Sequence, residues 1–183
     1  DMVSIEGDYS QSVNILVLSL INLKELKFTN LKETSKQGDK RIFNQIEEQF
    51  SFSQKLSFDI KNSPDLGCIL MILLLFCGGK IINVNRLQYK ESNRITSMMN
   101  SLARIKALCK YENNEIIIDK YDFDKAPTNV TFECFNDHRV CMALTVLGTK
   151  LDGAVIKGVE CINKSYPTFF DDLRKLGVNI DIK

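Results

Sequence analysis

The chain has 183 residues, 44% hydrophobic and 26% charged, a composition that suits a globular protein with one substantial core or two small ones and excludes a disordered polypeptide. Its 24 basic and 23 acidic residues leave a net charge of +1, so no global field recommends nucleic acid or an anionic membrane as a partner. Any anion site must therefore be local.

Met2 to Ile5 reads as a short strand. In Glu6-Gly7-Asp8-Tyr9-Ser10, Gly7 makes a turn and Asp8 or Ser10 can cap a helix whose inner face is Val13, Leu16, Val17 and Leu20. Lys24 to Phe28 is strand-like, and the polar loop Thr34 to Asp39 leads to an amphipathic helix from Lys40 to Phe50 through Ile42, Phe43 and Ile46. Leu56 to Ile60 alternates as a half-buried strand.

The pattern then restarts. Asn62-Ser63-Pro64-Asp65 is a loop and cap before the apolar helix Leu66 to Cys77, which Gly78-Gly79 ends. Its longest apolar run, Cys68 to Cys77, is too short to span a bilayer. Lys80 to Val84 is a strand, and Lys90 to Cys109 a second helix with Ile95, Met98, Met99, Leu102 and Ile105 inward, so that Lys90, Glu91 and Arg94 share its first turn. Lys110-Tyr111 and Ile116 to Asp119 form strands around a Glu112 to Glu115 hairpin turn.

A third round opens at Asn136-Asp137-His138-Arg139. Val140 to Leu147 is helical and stopped by Gly148, Gly153 to Lys157 is a strand, and Thr168 to Leu176 is a helix after Lys164-Ser165-Tyr166-Pro167. Val178 to Ile182 is a last alternating strand. Acidic caps near 8, 65 and 137, with partner helices starting near 39, 90 and 167, imply one unit used three times, over about 1–61, 62–120 and 121–183. The six cysteines, at 68, 77, 109, 134, 141 and 161, include no C-x-x-C pair and read as reduced thiols of a cytosolic-type protein. A single histidine gives them no help as zinc ligands.

A mixed α/β chain built this way would bring its first helices together in the interior and could gather their starts at one end. Asp8, Asp65, Lys90, Glu91, Arg94, Asp137, Arg139 and Lys164 all sit at or just before helix starts, where unpaired backbone N–H groups favour anions. Such a grouping describes a pocket for a small, multiply charged anion. Each string alone has a plainer and commoner reading. Lys90-Glu91-x-x-Arg94 can be a solvated helix start with a weak Glu91 to Arg94 pair, Asp137-His138-Arg139 a cap, and Lys164 a loop lysine before a proline-opened helix.

In this order and spacing, Glu6-Gly7-Asp8, Gln37-Gly38-Asp39, Pro64-Asp65, Lys90-Glu91-Ser92-Asn93-Arg94, Asn136-Asp137-His138-Arg139 and Lys164-Ser165-Tyr166-Pro167 resemble the 5-enolpyruvylshikimate-3-phosphate (EPSP) synthase family, from about residue 3 to residue 178. The related transferases that act on UDP-N-acetylglucosamine lack this pairing of K-E-S-x-R with D-H-R and match less well. The resemblance implies an inside-out α/β barrel domain of three βαβαββ units, the C-terminal-half domain of a two-domain enzyme, with the other domain unmatched here. It implies transfer of enolpyruvyl from phosphoenolpyruvate to the 5-hydroxyl of shikimate 3-phosphate, with release of phosphate and no metal or organic cofactor.

The same resemblance implies roles for individual residues. Asp65 would receive or hold the 5-hydroxyl, Lys90 would contact the shikimate phosphate side, and Glu91 would take part in proton transfer at the methylene carbon. Arg94 and Arg139 would clamp the phosphoenolpyruvate carboxylate, Lys164 would bind its phosphate, and Asp8 and Asp39 would be structural. Asn93 stands where many members carry Asp, and Arg86 where some carry an Asn that touches the sugar ring. Two other readings remain open at this point, a non-catalytic anion-binding or interaction domain with the same fold and a folded repeat domain with no site.

Overall fold

A computed structural model gives the structure, and residues 5–182 are described. The organising element is helix α3 (Gly67–Cys77), in which every residue is buried. A helix apolar all round can exist only where neighbours cover every face, and here α1 (Tyr9–Ile21), α4 (Arg94–Arg104) and α5 (His138–Gly148) pack against it. Amphipathic α2 (Lys40–Gln49) closes the outside of α1 with Ile42, Phe43 and Ile46. Short α6 (Phe169–Lys175) adds Phe169 and Leu173 to the core.

Beside the helices lies a four-stranded sheet of β1 (Leu56–Asp59), β2 (Gly79–Ile82), β3 (Cys109–Glu112) and β4 (Glu115–Ile118), in the order β1-β2-β4-β3. β1 and β2 run parallel, joined by α3, and the β3–β4 hairpin completes the sheet antiparallel to β2. Residues 56–118 thus form one complete βαβαββ unit. Asn113 and Asn114 turn the hairpin, both at positive φ, the conformation a two-residue turn demands and Asn tolerates. A second, parallel pair joins β5 (Thr131–Glu133) to β6 (Val155–Lys157) through α5.

Several expectations need correction. The second helix of the central unit begins at Arg94, not Lys90, because Asn93 caps it by accepting from the Thr96 N–H at 3.2 Å. Asn85–Tyr89 instead forms a 3-10 turn that buries Leu87, so Lys90 and Glu91 lie in a connector ahead of α4. Lys24 to Phe28 and Val178 to Ile182 alternate in sequence but have no strand partner among the described residues. Phe28 packs edge-on against Phe43, and Arg174 Nε donates to the Ile180 carbonyl. Met2 to Ser4 lie outside the described residues, and Ile5 is not in a strand. The Cys68 to Cys77 run ends at Gly78 as expected, and no described helix is long and apolar enough to cross a membrane.

Gly79 is the tightest backbone approach. It adopts φ 139°, and an added Cβ would lie 2.0 Å from the Leu56 carbonyl oxygen, backbone that cannot rotate away. Gly79→Ala is expected to remove more than about 2 kcal/mol of stability, whereas Gly38→Ala, with ordinary contacts and no positive φ, should change it by less than about 1 kcal/mol. Urea denaturation of the two variants checks the contrast.

Candidate active site

The starts of the buried helices meet at one end. Asp8 caps α1 by accepting from Gln11 N–H at 3.2 Å, and Asp137 caps α5 by accepting from Arg139 N–H at 2.9 Å. Asp65 sits in the 3-10 turn Pro64–Leu66 that leads directly into α3. Asp137 has no exposed surface and a larger task than capping.

Arg94, 2% exposed, joins these starts. Its Nε donates to Asp137 Oδ2 at 2.9 Å and its NH2 to Oδ1 at 3.2 Å, a two-pronged contact, while its NH1 donates to Asp65 Oδ1 at 2.8 Å. Ser92 adds its N–H at 3.2 Å and its hydroxyl at 3.1 Å to Asp137 Oδ2. Paired, multiply hydrogen-bonded charge is the condition under which an ion is tolerated in a core.

Three further cations ring this floor. Lys90 Nζ lies 2.9 Å from Asp65 Oδ1, and Lys164 Nζ lies 2.9 Å from Glu91 Oε2. The same Glu91 oxygen is 2.9 Å from His138 Nδ1. Arg139 crosses to α1, where its NH1 donates to the Ser10 carbonyl at 3.2 Å, and Gln11 Nε2 donates to the Ser165 hydroxyl at 2.9 Å. Among the described residues, four buried polar atoms at these helix starts have no partner: Ser10 Oγ, Gln11 Oε1, Ser63 Oγ and Arg139 Nε. Buried polar atoms without partners call for a ligand or ordered water.

The six residues expected from sequence, Asp65, Lys90, Glu91, Arg94, Arg139 and Lys164, fall into two linked groups. Asp65, Lys90 and Arg94 are in direct contact, Glu91 and Lys164 are in direct contact, and Asp137, His138 and Arg139 at the start of α5 connect them. Sequence reasoning gives no site role to Ser92, Ser10, Gln11 or Gln37. Gln37 Oε1 accepts from Tyr9 N–H at 2.9 Å and its Nε2 donates to the Gly7 carbonyl at 2.9 Å, fixing the entry to α1. Ser92 lies inside the K-E-S string, so its position was visible although its partner was not.

Electrostatics follow from these contacts. Burial pushes the Asp65 carboxyl up, but hydrogen bonds from Lys90 and Arg94 outweigh it and hold the group at about 2, below the ordinary 3.8. For Asp137, burial is again outweighed, here by Arg94 and the Arg139 N–H. Glu91 is also lowered, because Lys164 and His138 overcome its burial, so the resting site holds it ionised. Glu91, Asp137 and His138 bring potential metal-ligand atoms within 4.8 Å of one another, but Lys164 and Arg94 already neutralise the two carboxylates, which fits a metal poorly.

The chain is similar to known proteins in both sequence and fold. The family described as "EPSP synthase (3-phosphoshikimate 1-carboxyvinyltransferase)" matches residues 1–173. The chain belongs to the EPSP synthase family. A 3-phosphoshikimate 1-carboxyvinyltransferase from Clostridium acetobutylicum is 33% identical across 96% of this chain and 44% of its own length. One from Methanocaldococcus jannaschii is 29% identical across 98% of this chain and 45% of its own length. The chain thus spans a little under half the length of these curated relatives.

Among solved structures, EPSP synthase from Acinetobacter baumannii superposes with a TM-score of 0.77 at 20% identity, covering 98% of this chain and 48% of that one. The enolpyruvyl transferase NikO from Streptomyces tendae gives 0.65 at 12% identity, covering 98% and 45%. The fold is accordingly the mixed α/β fold of the enolpyruvyl transferases, to which the central βαβαββ unit of this EPSP synthase family chain conforms.

The depressed Asp65 carboxyl carries a stability prediction. Its folded value lies below its unfolded value, so its contribution is present above about 3.8 and lost as pH falls through about 2. Urea midpoints measured against pH should fall over that window, with a shallower fall in Asp65→Asn. An equal acid slope in the variant would place the effect elsewhere.

Proposed function

We propose that this chain supplies half of an enolpyruvyl transfer site, moving the enolpyruvyl group of phosphoenolpyruvate to the 5-hydroxyl of shikimate 3-phosphate. The observation that carries the reading is the gathering of Lys90, Arg94, Arg139 and Lys164 around three carboxylates at one end of the helices, although the whole chain is nearly neutral. Both substrates are anions, and such a floor binds them where unpaired helix-start N–H groups add to the field.

In this reading the 5-hydroxyl oxygen bonds to C2 of phosphoenolpyruvate while the methylene carbon gains a proton. That carbon then gives a proton back as the C2–O bond to phosphate breaks, leaving the enolpyruvyl ether and inorganic phosphate. Asp65, held ionised by Lys90 and Arg94, receives or orients the hydroxyl proton, and Lys90 meets the shikimate phosphate side. Arg94 keeps N–H donors beyond those spent on Asp137 and Asp65, and Arg139 has an unpartnered Nε; together they hold the substrate carboxylate. Lys164 takes the departing phosphate.

Glu91 is the proton carrier. Lys164 keeps it ionised at rest, but an arriving anion that draws Lys164 away weakens that pairing and raises the proton affinity of Glu91. His138 Nδ1 fixes the orientation of the carboxylate.

Within the same proposal, residues 1–183 are a single domain of three tandem units near 1–61, 62–120 and 121–183, and a second domain supplies the remaining substrate contacts across a cleft. Its place is the cytoplasm, where six unpaired thiols stay reduced.

Without the opposing domain the reacting groups are not held at near-attack distance, so phosphate release by the chain alone from both substrates is expected to be absent or very weak. Robust turnover by the isolated chain would refute the half-site. Phosphoenolpyruvate should still raise the melting temperature of the chain, and Arg139→Ala or Lys164→Ala should abolish that shift. A non-catalytic anion module is separated by Glu91→Gln, which should spare anion binding while lowering turnover of the reassembled enzyme on the order of 100-fold or more.

A further inference from the structure

A buried cluster at the start of α5 is used by none of the chemistry above. Cys134 directly follows β5, Cys141 lies one turn into α5, and Cys161 sits in the 3-10 stretch Val159–Lys164. Their three sulfur atoms all lie within 4.8 Å of one another. Cys134 and Cys141 have no exposed surface and Cys161 is 6% exposed, so the cluster is buried and reaches solvent only at Cys161. The Cys134 backbone is fixed at both polar groups, its N–H donating to the Lys157 carbonyl and its carbonyl accepting from Asp137 N–H, each at 3.0 Å.

We propose that Cys134, Cys141 and Cys161 form a three-coordinate thiolate site for a soft, closed-shell cation of the Cu(I) class. Sulfurs around a trigonal metal with bonds of about 2.3 Å stand about 4 Å apart, so only a small contraction is needed. Three sulfur donors in an apolar pocket select a soft cation. No histidine or carboxylate joins the cluster among the described residues, which disfavours tetrahedral zinc.

Loading breaks three S–H bonds, forms three S–Cu bonds and sends three protons to solvent. The metal enters and stays as Cu(I), so no oxidant or reductant is required. Burial and mutual contact raise the Cys141 and Cys161 thiols, Cys161 up to about 11; because the ligands are thiolates, binding strengthens as pH rises. Lys164, three residues beyond Cys161, offsets part of the negative charge gained. The elements cross-linked by the metal are those carrying Asp137, His138, Arg139 and Lys164, so loading stiffens one wall of the site.

The test is anaerobic titration of the reduced chain with Cu(I) against a colorimetric Cu(I) chelator. The expected result is one tightly held equivalent, with proton release and a higher melting temperature. Cys161→Ala and Cys134→Ala should weaken it on the order of 100-fold or more, while Cys109→Ala, outside the cluster, should not. X-ray absorption of the loaded wild-type chain needs no variant and should read three sulfur neighbours. Failure to retain Cu(I), retention unchanged in Cys161→Ala, or a first shell of two sulfurs or mixed donors would each overturn the proposal.

Discussion

The structure depends on one buried cation. Arg94 is nearly inaccessible, and taking a guanidinium out of water costs several kcal/mol unless its donors are met by well-placed acceptors. Asp137 meets it with both oxygens and Asp65 with one, so the ion is tolerated only while α4, α5 and the turn before α3 keep their present relation. The hydrophobic contacts along α3 stabilise the helix cluster without choosing a register. The ion network does choose one, because a slip of either helix would leave an uncompensated buried charge.

Around that floor the site grades from rigid to adaptable. Arg94 and Arg139 are buried and held, while the side chains of Lys90 and Lys164 are 22% and 46% exposed and paired with Asp65 and Glu91. Surface pairs of this kind contribute little to stability and exchange partners readily. In the proposed transfer, an incoming anion would compete with carboxylates the protein already provides and would raise their proton affinity. On that reading, binding and proton movement are coupled through the same two lysines, in a protein whose overall charge is close to zero. The backbone of Cys134 ties the buried thiols to the start of α5 through the Asp137 N–H.

Much of this was legible in the residues. The apolar run of α3, the acidic caps at 8 and 137, and the Asn113-Asn114 turn each carry a local signal whose physics needs no distant partner. What failed was whatever depends on pairing. Lys24 to Phe28 and Val178 to Ile182 alternate as strands do, but alternation makes a strand only where a neighbour offers its backbone groups. β5 is three residues long with Phe132 alone fully buried, too short to show a period. The start of α4 was misplaced because Asn93 is a stronger cap than the charged residues before it. The strings name the candidate residues, but not the burial of Asp137 or its double contact with Arg94, since a cap and a counter-ion look alike in sequence.

The central claim is that Arg94 and Asp137 act as one energetic unit that fixes the helix starts. A double-mutant cycle with Arg94→Met, Asp137→Leu and the combined variant, read by urea denaturation, tests it most directly. The account predicts that the single changes each cost about 3–5 kcal/mol and that the pair costs well below their sum, a coupling of about 2 kcal/mol or more. Effects that add to within about 0.5 kcal/mol would contradict it.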